Sequence, residues 1–244
     1  MYADYNEPLL KDEQDKEMDD FELEISIKNK IREGFISKVY GIIAYQIVIT
    51  SIVVYFAMWS SSFKNLLLSS SSLYMTNVFL TFFLVLLPIC FPQAYRSVPI
   101  NYIILTIFTI SYSCLVAMVV CLYTFSSVMC ALFLTFITVV SLSIYAWKTD
   151  KDFSICGGTL FVSLILLIFS SLILIFISIP LLNLIYTFIS LIIFCIYLIY
   201  DTQLLIGGKR VQFSEDDYIY AAINIYLDVI ILFLKILSLV GKKE

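Results

Sequence analysis

The sequence predicts an all-α, polytopic membrane protein with seven transmembrane helices, and three observations predict it. The 244 residues are 61% hydrophobic and only 14% charged, whereas a soluble domain carries about 25% charge to cover its surface. The mean hydropathy is +0.97. The apolar residues also fall into segments of about 20, the length that crosses a bilayer core as a helix. The formal net charge of −4 does not describe those segments, because 11 of the 19 acidic residues lie within residues 1–33.

The elements follow in order. Residues 1–24, through DEQDKEMDDFELE, read as a disordered, acidic, cytosolic tail. They lack the basic start and apolar run of a secretory signal, so the first span is expected to serve as its own signal anchor. In residues 25–38, Ile27, Ile31 and Phe35 recur every four positions among Lys28, Lys30, Arg32 and Lys38. Such a segment either lies as an amphipathic helix on an anionic leaflet or simply extends the first span. The membrane domain occupies 39–240, with spans at 39–59, 75–91, 100–123, 127–147, 155–179, 181–206 and 218–240, and residues 241–244 form a short tail. The connections are a serine-rich loop (SSSFKNLLLSSSS), a proline-punctuated turn (PQAYRSVP), a tight turn near Phe125, the charged loop KTDKDFS, a break at Pro180 and the hairpin GGKRVQFSEDD.

Orientation follows from the basic residues. With the N-terminus in the cytosol, the inside loops hold Arg96, Lys148, Lys151, Lys209 and Arg210, and the outside loops hold only Lys64. Lys235, Lys242 and Lys243 break this bias if the seventh helix spans fully; a re-entrant seventh helix would return them to the cytosol.

Much chemistry is excluded. There is no histidine, which removes a Ser-His-Asp site and the usual side chain for sensing pH near neutrality. Phosphate-binding glycine loops and HExxH are absent, so neither enzyme activity nor a cofactor nor a nucleic-acid partner is expected. The six cysteines, Cys90, Cys114, Cys121, Cys130, Cys156 and Cys195, lie in or at the edge of apolar segments without metal-ligand spacing, and read as small buried hydrophobes. The 20 Phe and 17 Tyr read as packing and interfacial anchors.

What remains is a pair of carboxylates, Asp201 and Asp228, inside the last two spans. A carboxylate at the centre of a membrane helix costs roughly 2.5–3.5 kcal/mol on insertion scales. Asp201 is about 8 Å from the end of its helix, and Asp228 about 20 Å along the next if that helix begins by Glu215. The spacing permits them to face one another but does not force it. Facing carboxyls in a low-dielectric site share a proton and titrate as a unit. Loss of that proton sets two negative charges together and pushes the helices apart, which makes the pair a proton-operated latch. The same oxygens are hard ligands suited to calcium. The bland alternative is two separately satisfied polar residues bonded to neighbours such as Tyr197, Tyr200 or Asn224. Asn224, Tyr197 and Gln203 are the expected supporting polar residues. Asn224, Asp228 and Lys235 share a helix face, but Lys235 lies close enough to the helix end for snorkelling to account for it.

The stretch IYDTQLLIGGKRVQFSEDDYIYAAINIYLDVIILFLKIL closely resembles the transmembrane Bax inhibitor motif family, and its Lifeguard branch in particular. So do the entry IREGFISKVYGIIAYQIVIT and the loop KTDKDFSICGGTLF, and the resemblance runs from about residue 31 to 240. It implies seven helices with the last one central in the bundle. It also implies a pH-sensitive calcium leak through ER or Golgi membranes, suppression of cell death, and contact with membrane cell-death regulators. The family's paired aspartates map by motif onto Asp201 of YDTQ and Asp228 of YLDVI, which supports facing. Two departures are visible: SYSCLVAM carries no acidic residue where many relatives have one in helix three, and Val98-Pro99 stands where many have His-Pro. The functional alternatives are a non-conducting regulator that works through protein partners and, more remotely, a proton-coupled exchanger.

Overall fold

A computed structural model describes residues 7–177 and 179–243, with side chains placed from residue 18 onward except at 88 and 89. Residues 1–6 of the expected tail lie outside the described residues. The described chain is helical throughout its membrane segments: α1 (Glu7–Trp59), α2 (Ser61–Ser69), α3 (Ser71–Cys90), α4 (Pro92–Arg96), α5 (Ile100–Val120), α6 (Phe125–Lys148), α7 (Gly157–Phe176), α8 (Pro180–Ile206) and α9 (Tyr218–Val240). Short 3₁₀ turns, Ser154–Cys156 and Glu215–Asp217, lead into α7 and α9. Among the described residues, six helices are long and apolar enough to cross a membrane, and seven if the bent pair α2–α3 counts as one span. The all-α polytopic architecture is as expected.

Two local expectations differ. Residues 7–24 are helical, continuous with the first span, rather than disordered. The stretch holds five Glu, three Leu and two Lys, which are strong helix formers, with opposite charges at helical spacing and its one proline in the first turn. The amphipathic segment 25–38 therefore continues the first helix. The serine-rich loop is likewise a helix, α2, bent 76° from α3. Its serines cap: the Ser60 hydroxyl accepts from the Phe63 N–H (3.4 Å) and the Ser70 hydroxyl from the Leu73 N–H (3.3 Å). Leu67 of α2 is buried with Ala57, Ala117, Met118 and Cys121, which anchors the bend against the ends of α1 and α5. At the break before α8, Pro180 occupies the first helical turn, where its missing N–H is not needed.

α9 is the axis of the bundle. It packs against α1, α5, α6 and α8, and Ile219, Ala221, Ala222, Tyr226, Leu232 and Leu237 are fully buried along it. The outer faces of α6 and α7 carry exposed Phe133, Phe136, Leu166 and Phe169. This is the inverse of a soluble protein, as a lipid solvent requires. Lipid tails are as apolar as leucine, so helix association rests on close packing and interhelical hydrogen bonds.

The two ends of α9 lie at opposite faces. At its start, Asp217 pairs with Arg96, and the ammonium of Lys38 sits 3.2 Å from the centroid of the Tyr218 ring. At its end, the Thr124 N–H donates to the Lys242 carbonyl (3.0 Å) in the turn between α5 and α6. The last helix thus runs the full length of the bundle without turning back. Lys242 and Lys243 share their end of the bundle with the α5–α6 turn, opposite Arg32, Arg96 and Lys209.

Candidate functional site: a buried carboxyl pair on α8 and α9

The hairpin between α8 and α9 determines where the two aspartates fall. α8 ends at Ile206 and the chain reverses through Gly207 and Gly208, whose φ angles of 77° and 75° lie in the left-handed region that glycine alone enters freely. The Phe213 N–H donates to the Leu204 carbonyl (3.1 Å), closing the turn. The reversal leaves α8 and α9 antiparallel and packed together.

Within that packing Asp201 and Asp228 are both buried, 6% and 4% exposed, and their carboxyl groups lie within hydrogen-bonding reach of each other. Two carboxylates cannot hydrogen-bond without a proton between them. The oxygen Asp228 Oδ2 is buried and has no hydrogen-bond partner. Tyr197 and Tyr200 of α8 and Tyr112 of α5 lie within electrostatic range of the pair. Tyr112 stacks on Phe108 (5.7 Å between centroids) and meets Tyr226 edge-on (5.9 Å). Low-dielectric walls and scant access of solvent strengthen every charge interaction inside.

The supporting residues divide. Asn224 is half-buried one turn before Asp228. Tyr197 and Gln203 direct their hydrogen bonds away from the pair. The Tyr197 hydroxyl donates to the Leu160 carbonyl of α7 (2.6 Å). Gln203 Oε1 accepts from the Phe153 N–H (2.8 Å), and its Nε2 donates to the Lys151 carbonyl (2.9 Å). They hold α8 in place against α7 and the α6–α7 loop, and so position Asp201 indirectly. Gly157 lets that contact close: a Cβ there would stand 2.7 Å from the Tyr200 hydroxyl. Lys235 lies 4.5 Å over the Tyr186 ring.

The pair offers at most four carboxylate oxygens, and among the described residues no cluster of three acidic, Cys or His side chains exists. Calcium takes six to eight oxygen ligands. The pair alone would therefore leave most of a calcium ion's coordination shell to other ligands.

One residue at this end carries more than its sequence context shows. Arg32 of α1 reaches across the bundle with an 89%-buried side chain. Its guanidinium donates to the carbonyls of Leu204 (2.5 Å), Ile206 (3.2 Å) and Phe213 (2.7 Å) and to Glu215 Oε1 (3.2 Å). It thereby satisfies carbonyls that the end of α8 leaves without helical partners. Arg96 pairs bidentately with Asp217 (2.7 and 2.8 Å). In sequence, Arg32 is one of several basic residues before the first span, and only the long-range fold separates it from Lys28 and Lys30.

Comparisons with known proteins agree with this architecture. The family described as Inhibitor of apoptosis-promoting Bax1 matches residues 32–244. The chain is 32% identical over 221 residues to Protein lifeguard 3 of Mus musculus, covering 88% of this chain and 71% of that protein. It is 31% identical to Protein lifeguard 3 of Homo sapiens, covering 88% and 70%, and 36% identical to BI1-like protein of Arabidopsis thaliana, covering 89% and 84%. A match over nearly the whole membrane domain, with both aspartates and Arg32 inside it, places this chain in the Bax inhibitor-1 family, among its Lifeguard relatives.

Proposed function

We propose that the protein is a pH-sensitive calcium leak channel of intracellular membranes, gated by the proton shared between Asp201 and Asp228. Through that leak it contributes to calcium homeostasis and to suppression of cell death. The observation that carries the reading is the buried carboxyl pair on two adjacent helices. With one proton the pair is a hydrogen bond that joins α8 to α9. Without it, two like charges stand together in a low-dielectric site, and their repulsion favours separation of the helices. Proton loss therefore opens the path, and the leak rises with pH. The basic residues at the Arg32 end support a cytosolic N-terminus, and the family resemblance is what supports the ER or Golgi as the host membrane.

The family's description supports the link to cell death. A non-conducting regulator that works through cell-death or ER-stress partners is the alternative. Reconstitution distinguishes them: purified protein in liposomes containing a calcium dye, followed across a pH series, with wild type beside Asp201→Asn and Asp228→Asn. A pH-dependent leak that loses its pH dependence in both variants supports the channel. No leak at any pH moves the function to protein partners.

A further inference from the structure

α5 presents a second polar face to the interior, where it meets α1 and α9. Asn101, Leu105, Thr109, Ser113 and Ala117 follow one another at every fourth position, and all are buried. Opposite them stand Gln46 and Thr50 of α1 and Tyr226 of α9, each 0–5% exposed. Gln46 Nε2 donates to Thr109 Oγ1 (3.2 Å), and the Thr109 hydroxyl donates to the Leu105 carbonyl (2.7 Å). The Thr50 hydroxyl lies 2.8 Å from the Gln46 carbonyl, 2.9 Å from Ser113 Oγ and 2.7 Å from the Tyr226 hydroxyl. Ser113 Oγ lies 2.6 Å from the Thr109 carbonyl. At the Arg32 end, Asn101 Nδ2 donates to the Tyr218 hydroxyl (2.8 Å), which continues the polar seam toward that face.

The seam holds one acceptor without a hydrogen. The three hydroxyl hydrogens of Thr50, Ser113 and Tyr226 are enough for a chain from Tyr226 through Thr50 and Ser113 to the Thr109 carbonyl. Gln46 Oε1 is buried and has no hydrogen-bond partner. Interhelical hydrogen bonding alone does not call for this: satisfied pairs hold membrane helices together, whereas a surplus acceptor in hydrocarbon is a cost. An unpartnered amide oxygen beside hydroxyl oxygens from three helices matches the requirement of a cation shedding part of its hydration shell. All five side chains are uncharged, so a cation is held weakly enough to leave.

We propose that the α1–α5–α9 seam is a cation transit site, in which Gln46 Oε1 and the hydroxyl oxygens of Thr50, Thr109, Ser113 and Tyr226 replace part of the water around a permeating cation. The inference rests on the leak-channel reading and deepens it. The oxygen contacts between helices, 2.7 and 2.9 Å, leave no room for an ion, so the seam is shut in this structure and fills only when the helices part.

The test uses the full chain in liposomes with an internal calcium dye, comparing wild type with Gln46→Leu, Thr50→Val and Thr50→Ser. At a pH where wild type leaks, Gln46→Leu and Thr50→Val are expected to lower the calcium flux at least tenfold, beyond any fall in the amount of folded protein, which the thermal midpoint of each variant reads separately. Thr50→Ser, which keeps the hydroxyl, is expected to stay within about twofold of wild type. The pH midpoint is expected to stay fixed, since the carboxyl pair is untouched. Wild-type flux in Thr50→Val and Gln46→Leu overturns the transit site and leaves the leak reading standing. A wild type that passes no calcium at any pH overturns both. If Gln46→Leu does not fold, the contrast between Thr50→Val and Thr50→Ser decides alone, and equal flux in those two overturns the site.

Discussion

Arg32 of α1 and Gly207 of the α8–α9 hairpin are locked together: a Cβ on Gly207 would stand 2.8 Å from the Arg32 Nε, and the φ of 77° there admits glycine. The guanidinium lies against bare backbone, and that closeness allows it to reach three main-chain carbonyls at once. The hairpin bearing both interior aspartates is thereby tied to the first helix. The paired residues sit about 175 positions apart in sequence.

The tie is expected to carry stability. Hydrogen bonds to charged groups contribute about 1.5–3 kcal/mol each when partly buried, with strong non-additivity among neighbours. Arg32→Gln is therefore expected to destabilise the protein by about 2–3 kcal/mol, read as a lowered thermal midpoint in detergent. Arg32→Lys keeps the charge but not the fork and falls between. A midpoint unchanged in Arg32→Gln would show the clamp to be idle.

Gly207→Ala tests the same contact from the other side. The methyl group meets the guanidinium, and the backbone must hold a left-handed conformation that costs about 1 kcal/mol or more for alanine. The expected loss is about 1–3 kcal/mol, whereas Gly208→Ala meets nothing within 4 Å and bears only the backbone cost. Equal losses in the two variants would place the whole effect in the backbone.

Gln203 holds the α6–α7 loop through its amide. Gln203→Leu leaves the Phe153 N–H and the Lys151 carbonyl without this partner, an expected cost of about 1–3 kcal/mol for each group left buried. Faster backbone amide exchange should appear at residues 149–156. Exchange confined to α8 instead would mean that the loop stands without the glutamine.

Asp152, in that loop, has a carboxyl held below its ordinary value, chiefly by the Ser154 hydroxyl, which donates to Oδ1 (2.6 Å). The folded protein thus binds this proton less readily than the unfolded chain. The contribution is present above the ordinary aspartate range, about pH 4, and is lost as the pH falls through the folded value. Ser154→Ala should raise the Asp152 midpoint in a carboxyl titration by nuclear magnetic resonance. An unmoved midpoint would assign the depression to the loop backbone and Lys209.

The spans were legible in sequence because a bilayer imposes length and apolarity on each segment, and boundaries such as Pro180 and the hairpin before Tyr218 carry strong local signals. The bend between α2 and α3 was not, since LLL between serines has no marker that separates a loop from a capped surface helix. The aspartates stood out as isolated charges, and the hairpin brings them together. Gln203 and Tyr197 are close to Asp201 along α8, but helical rotation turns them toward the α6–α7 loop and α7. Arg32, Gln46 and Thr50 act through partners that lie far away in sequence. The four-residue spacing of Gln46 with Thr50, and of Thr109 with Ser113, was the one local signal of a shared buried face.

The proton latch is tested most directly by measuring the separation of α8 and α9 while the leak is followed. Spin labels at Ile189 on α8 and Tyr220 on α9, both exposed, report the distance in liposomes across a pH series in the labelled full chain. The distance is predicted to lengthen over the same pH window in which calcium flux rises, and both changes should lose their pH dependence in Asp201→Asn. Flux that rises while the distance stays fixed, or a distance change that persists in Asp201→Asn, would contradict the latch.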